Sequence, residues 1–318
     1  LNLGNNRRQL KLILGITVSI FCIIISLHGV EFTDVVKAFS SFNIYYCLFI
    51  AVALILGVVL RSLRWYLITG LSEISRKSFI EATVLGVFIN LILPIRIGEV
   101  LRIISLSRKS NNKSWISLLI SSFIDRVMDL SVLLISIIVL YFSTSMSKLF
   151  DYQHSYLLDI GIILILLLLV FLIFRRSICQ LVIRIIKQLS NGYGVNLDIF
   201  LSTLKLILYK IIQLKAVIQL FIVMLSIFIA DYLCMYFIFK GFHLSLGFFA
   251  PLLLWVFLAL GSMLPSAPGY VGIYQVATVW VLSLYAISAS MSIAIATILQ
   301  IITFTVISMF MLYLRFFR

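Results

Sequence analysis

Long apolar runs alternate with short polar stretches along the chain. Six of the runs, at 12–30, 44–60, 115–142, 156–174, 216–239 and 289–314, are 17 to 28 residues long and carry few charges. At about 1.5 Å per residue each reaches across most or all of a ~30 Å hydrocarbon core, so the pattern predicts membrane-spanning helices. Two further apolar segments are interrupted. Residues 79–93 would reach only about 22 Å before a proline, a glycine and charges intervene, at Pro94, Arg96, Gly98, Glu99 and Arg102. This short stretch lies between two basic clusters, Arg76/Lys77 and Arg108/Lys109/Lys113. A hairpin that enters and leaves on one side, turning at 93–99, satisfies both facts. The second interrupted segment, 246–285, is cut by Pro265, Pro268, Gly269 and Gly272. Its flanks lack basic clusters, which predicts a hairpin opening to the other side. Pro removes a ladder donor and Gly permits a tight turn, and such backbone is tolerated at membrane depth only where protein or water surrounds it.

The expected fold is therefore an all-α polytopic membrane protein with about six transmembrane helices and two oppositely oriented re-entrant helical hairpins. Two spans, a hairpin and a span occur in about 1–142 and recur in about 156–314 with every direction reversed, the pattern of an inverted repeat. Eight ordinary spans with Pro/Gly kinks are the alternative. No linker or soluble block divides residues 1–318, so a single transmembrane domain is expected. The run at 12–30 is long for a signal-peptide core and no small-residue cleavage pattern follows it, so it is read as a retained span.

Composition agrees: 63% hydrophobic and 11% charged residues exclude an ordinary soluble domain. The net charge of +14 would suggest nucleic acid only if the basic residues formed a soluble face. Instead, nearly all Lys and Arg fall on the side of the N-terminus, leaving Lys37, Lys148 and Lys240 opposite and Arg126 inside a span. By the positive-inside rule that side and both termini are cytoplasmic. The charge then serves topology and attracts anionic lipid headgroups, with no nucleic-acid partner. Residues 175–215, with Arg184, Lys187, Lys205 and Lys210 among spaced Leu and Ile, are read as a cytoplasmic amphipathic segment, broken near Asn191 to Gly194. Cys22, Cys47, Cys179 and Cys234 form no Cys-x-x-Cys pair, and His28, His154 and His243 are far apart, so no metal and no cofactor is expected.

Charge inside a span costs energy, about 2.5–3.5 kcal/mol for a central Arg or Asp on insertion scales, and marks a functional site by default. Arg96 and Arg102 flank Glu99 and suit a phosphate, although Glu99 serves equally to neutralise one of them. Asp125 and Asp129 share a helix face beside Arg126, placed for substrate contact or for ion pairing with Arg96 or Arg102. Asp231 is a lone acid that calls for a cationic partner. Arg61 and Arg64, with Trp65, are read as snorkelling at a span end. At the second break, Pro265 and Pro268 free carbonyls, and Gly269 and Gly272 admit close approach beside Gln275. Close packing through Ser266, Ala267 and Gly269 is the alternative.

In order along the chain, Arg61, Arg64 and Trp65; Asn90 with Leu93 to Glu99 and Arg102; Asp125, Arg126 and Asp129; and Leu264, Pro265, Pro268, Gly269 and Gly272 resemble the lysylphosphatidylglycerol synthetase transmembrane region, or flippase-like integral membrane family. The resemblance covers most of the chain. Two departures stand out: Asp125 where the family usually has Glu, and Gln275 where it often has Glu. The resemblance implies a prokaryotic plasma membrane and movement of a polar-headgroup lipid between leaflets: an aminoacyl phospholipid, a polyprenyl-phosphate-linked lipid or a glycolipid. It implies no synthetase domain in this chain, and it leaves open a separate lipid-modifying enzyme as partner and an oligomer. A membrane-embedded transferase acting on a lipid-linked substrate, with Glu99 or Asp129 as base, and a non-catalytic partner subunit are the competing readings. Cysteine-accessibility labelling in a cysteine-free background tests the topology: Lys77, Lys109 and 175–215 are expected to label from the cytoplasm, Lys148 and His243 from outside. Labelling of Lys77 and Lys109 from opposite faces would convert the first hairpin into a span.

Overall fold

The computed structural model describes residues 22, 24–26, 31–71, 73–93, 97–109, 115–142, 197–263 and 268–316. The span expected at 156–174, nearly all of that at 12–30, most of the amphipathic segment, and Arg96 and Pro265 lie outside the described residues. Those described are helical, with no strand among them. The helices are α1 (Phe32–Ser40), α2 (Tyr46–Thr69), α3 (Arg76–Ile92), α4 (Gly98–Lys109), α5 (Trp115–Phe142), α6 (Leu197–Ile212), α7 (Leu214–Gly241), α8 (Phe249–Gly261), α9 (Ile273–Ser283) and α10 (Ala289–Phe316). A 3-10 turn, Pro268–Tyr270, separates α8 from α9.

Three of these helices, α2, α7 and α10, are long and apolar enough to cross a membrane. Their outward faces carry exposed Leu48, Val52 and Leu56 on α2, Phe221, Ile222 and Leu225 on α7, and Met309 and Leu312 on α10. Such faces suit lipid, since apolar side chains lose nothing there. Helix α5 is 28 residues long but holds Asp125, Arg126 and Asp129 in its interior. Two boundaries differ from the sequence reading. Glu31 to Lys37, expected as loop, leads into an amphipathic helix that buries Val35 and Ala38. The run expected to end at Leu60 continues as helix to Thr69, where Gly70 at φ 61° stops it.

Helices α2 and α7 run antiparallel and pack along their length. The Asn43 amide donates to the Gly241 carbonyl at one end (2.8 Å), and Lys210, just before α7, reaches the Gly70 carbonyl at the other (3.1 Å). Around them lie two short helix pairs. In the first, α3 and α4 fold back on each other: Gly98 meets Gly86 and Asn90 near the connection, and Lys109 meets Glu81 and Ser78 at the far end. In the second, Gly261 faces Ile273 near the break, and the Phe257 and Trp280 rings lie 4.7 Å apart further on. The largest apolar core joins α1, α2, α5 and α7 to α8–α10 through Ile50, Ile238, Leu254, Val281 and Ile295. Trp65, Phe79, Leu106 and Leu118 fill a smaller one.

Between helices in lipid, apolar contact has no water to escape from, so close packing and polar contacts carry association. The crossing of α3 and α4 shows what that requires. A Cβ added at Gly98 would fall onto the Gly86 carbonyl oxygen and press on the Asn90 amide. Gly98→Ala is therefore expected to lower stability by about 3 kcal/mol, toward the upper end of overpacking costs, read as a drop in melting temperature in detergent. Gly247, around which a Cβ meets nothing within 4 Å, is the control. Gly247→Ala is expected to stay within about 0.5 kcal/mol of the parent.

Candidate functional site

Helix α5 presents Ser121, Ser122, Asp125 and Asp129 at i, i+3 and i+4 spacing toward α2 and α4. Arg64 on α2 donates through Nε to Asp125 Oδ1 (2.7 Å) and through Nη2 to Asp129 Oδ1 (2.5 Å). Both members of the first pair are removed from the surface, Arg64 at 1% and Asp125 at 0% side-chain exposure. Arg102 on α4 donates to Ser122 Oγ (2.7 Å) and to Asp125 Oδ2 (3.3 Å), pairs with Glu99 at 2.8 Å, and lies 4.5 Å over the Trp65 ring. Trp65 in turn donates from Nε1 to Ser121 Oγ (3.0 Å). Arg126 touches three carboxylates, Asp129 at 2.9 Å, Glu99 at 3.3 Å and Asp125 at 3.4 Å. Three guanidinium groups thus face three carboxylates, and the cluster is neutral overall. A fourth pair, Arg61 with Asp231 (2.5 Å), links α2 to α7, and Trp255 Nε1 donates to the same Asp231 oxygen (3.3 Å).

The second helix pair is held by amides rather than charges. Gly269 and Gly272 have φ of 68° and 89°, a left-handed backbone that favours glycine. The Gly272 amide donates to Gln275 Oε1 (2.8 Å), Gln275 Nε2 donates to Gln300 Oε1 (2.7 Å) and Thr297 Oγ1 (3.3 Å), and Gln300 Nε2 donates to the Gly269 carbonyl (2.8 Å).

Between the two helix pairs lies a cavity of about 910 Å³. Arg61, Arg64, Arg126, Asp129, Asp231 and Trp255 form its polar wall, and Pro268 to Val271, Tyr274, Thr297 and Gln300 close the opposite side. Among the remaining lining residues the most exposed are the apolar Ile92, Met263, Ile301 and Phe304 and the polar Thr305. Of the residues expected from sequence, Arg126, Asp129, Pro268 and Gly269 are on the wall. Asn90, Glu99, Arg102, Asp125, Gly272 and Gln275 are off it. Asp125, Glu99 and Gln275 bond to side chains on the wall, Arg102 to Glu99 and Asp125, and Asn90 to the Gly98 amide. Arg61 and Arg64, read as snorkelling, instead face the interior. The missed signal was Gly70, a helix stop that places both arginines well inside α2. Trp255 and Gln300 carried no sequence signal beyond their polarity within apolar runs.

Among the described residues no group of three or more His, Cys, Asp or Glu is placed to hold a metal. Each carboxylate of the cluster is already engaged by a guanidinium, which suits recognition of a polar group more than proton abstraction. Arg126, on the cavity wall with 39% of its side chain exposed against 1% for Arg64 and 3% for Arg102, is the arginine of the cluster most open to a ligand. A family model described as the lysylphosphatidylglycerol synthase TM region matches residues 12–310, and the chain belongs to that family. No curated protein and no solved structure matches it.

Arg64 is the keystone of the ion pairs. Arg64→Ala leaves Asp125 buried beside one arginine fewer, and breaking such a pair costs about 3–5 kcal/mol. Arg64→Ala is expected to abolish a cooperative melt or shift it sharply down, whereas Lys109→Ala, which removes the half-buried pair with Glu81, is expected to change it little, by about 1 kcal/mol or less.

Proposed function

We propose that this member of the family moves a polar-headgroup lipid between membrane leaflets, holding the headgroup in the cavity between the two helix pairs. The observation that carries this reading is the division of the cavity wall. Its polar wall holds three arginines and two aspartates, of which Arg126 has 39% of its side chain exposed, while the lining residues most exposed as whole residues are apolar but for Thr305. A site for a water-soluble ligand would need a polar entrance. A charged interior behind an apolar mouth suits an amphiphile whose head is inside and whose chains remain in hydrocarbon. A family defined by a lipid synthase's transmembrane region supports the same class of ligand.

The packing supports the finer architecture as well. Helices α3 and α4, at 17 and 12 residues, and α8 and α9, at 13 and 11, reach only about 26, 18, 20 and 17 Å. We read both pairs as re-entrant hairpins. Several helix contacts pair off when the halves are exchanged: α2 with α3 matches α7 with α8, α4 with α5 matches α9 with α10, and α3 with α10 matches α8 with α5, whereas the contact of α2 with α10 has no match of similar extent between α7 and α5. The α2–α7 contact maps onto itself. An inverted repeat would account for these matches and would give the cavity a hairpin from each half. Arg76, Lys77, Arg108, Lys109, Lys210 and Lys215 gather at the end of the molecule where α2 stops, which we take as the cytoplasmic side facing anionic lipid.

Purified protein in liposomes, with headgroup-labelled lipids of the aminoacyl, polyprenyl-phosphate and glycolipid classes, tests the reading. One class is expected to move between leaflets and to bind the protein in detergent. Arg126→Gln removes a charge-assisted contact of about 1.5–3 kcal/mol and is expected to weaken binding roughly tenfold or more, with a fall in melting temperature smaller than that of Arg64→Ala, because Asp129 keeps Arg64 and Glu99 keeps Arg102. Arg126→Lys keeps the charge, loses the planar fork and is expected to fall between. Lipid bound but never moved would favour a transferase or a partner subunit. No binding of any class would remove the cavity from consideration.

A further inference from the structure

The second helix pair ends in a polar ladder whose donors and acceptors match without a charge. Gln275 uses both amide hydrogens and its oxygen, and Gln300 spans from Gln275 to the Gly269 carbonyl. The ladder ties the 3-10 turn to α9 and α10 at two points of the chain, Gly269 and Gly272, that are held in left-handed conformation. Gly269 is on the cavity wall, Tyr270 stacks on Tyr274 there at 5.2 Å, and the same turn packs against Leu91 at the end of α3. The turn therefore forms part of the cavity wall at the point where it meets the end of α3.

We propose that Gln275 is a positioning residue, which with Gln300 forms a charge-free lock that fixes the Pro268–Tyr270 turn on the cavity wall at any pH. Gln275 is buried and off the wall, so it acts through Gln300 and not on a ligand. Only a group that donates toward Gln300 while accepting from Gly272 completes the ladder. An ionised carboxylate at position 275 has no hydrogen to donate. Turning the Gln300 amide to serve it would set the Gln300 oxygen against the Gly269 carbonyl oxygen. A protonated carboxyl donates once and keeps most of the ladder. Among the described residues the elements packed against α9 offer such a carboxylate no nearby cation: α8 has no titratable side chain, the turn and α9 have Tyr270 and Tyr274, and α10 has Tyr313 and Arg315 at its far end.

The lock is read without lipid, so its test is separate from that of headgroup binding, on which only its consequence for the cavity rests. In full-length protein with Cys22, Cys47, Cys179 and Cys234 replaced, Val271→Cys places a thiol beside the turn. Its labelling rate in liposomes is expected to be flat from about pH 5 to about pH 8 after correction for thiolate content. With Gln275→Glu added, the introduced carboxyl holds the lock while protonated and releases it as pH rises. Corrected labelling is then expected to match the parent at the acid end and to climb roughly fivefold or more at the basic end, the effect of losing one or two hydrogen bonds. Gln275→Leu is expected to label fast at every pH. Gln300→Glu, whose carboxyl must be protonated to donate to Gly269, is expected to show the same sign and keeps the test open if the first variant does not fold. Labelling that stays at the parent's rate across the range in both Glu variants would overturn the lock. Fast labelling at all pH in both would show that the amides only fill space.

Discussion

An ion inside a membrane protein has few places to put its field. Water is scarce, lipid offers nothing, and the field must end on an opposite charge or a fixed dipole. In this chain that requirement falls on four arginines from three helices. Asp125 is the centre of the solution, since its two oxygens take Arg64 from α2 and Arg102 from α4. These bonds decide how α2, α4 and α5 are rotated about their axes, because a turn of any one would leave a buried charge unpaired. Apolar faces alone would not set that rotation, being alike toward lipid and toward neighbouring helices.

The same accounting governs the backbone. Where a helix stops short inside apolar surroundings its end groups need partners, and here carboxamides supply them. Asn90 accepts from the Gly98 amide at the start of α4, and Gln275 accepts from the Gly272 amide at the start of α9. Neither adds a charge to be balanced. Glycine recurs beside these caps for steric reasons: Gly86 against Gly98, and Gly261 against Ile273, leave no room for a side chain where the helices of each pair come together. Carboxamide and glycine together make a short helix pair tolerable within a helix bundle that presents so much apolar surface.

Sequence was most informative where a residue's cost is independent of its neighbours. Apolar runs marked α5, α7 and α10 closely, because length and hydropathy are properties of a segment alone. The Pro/Gly breaks marked the ends of α3 and α8, since proline and glycine act on their own backbone. Charge in apolar sequence marked Glu99, Arg102, Asp125, Arg126 and Asp129 as one group, and the structure gathers them. Which of them face the cavity was not legible. That depends on helix rotation, and hence on pairings between residues as distant as Arg61 and Asp231. The arginines of α2 were misjudged for a related reason: hydropathy fell at Arg61, but the helix ran on to Gly70, and only the acids on α5 and α7 explain why it could.

Neutrality of the cluster bears on how a headgroup could be admitted and released. A cavity with surplus positive charge would hold an anion tightly but would be costly when empty in a low-dielectric setting. In a balanced cluster an incoming anion must displace a resident carboxylate from its arginine. Arg126 is the member suited to that exchange: its side chain is 39% exposed against 1% for Arg64 and 3% for Arg102, and its contacts to Glu99 and Asp125 are longer than the Arg64–Asp125 bond. Glu99 belongs to α4 and Arg126 to α5, so trading their contact for one to a phosphate would loosen the first helix pair from its neighbour. Asp125 would still hold Arg64 and Arg102, leaving the bundle intact. Under the lipid-translocation reading, the headgroup then couples its own binding to a shift of one hairpin while the two most buried arginines, Arg64 and Arg102, keep their partner Asp125 throughout.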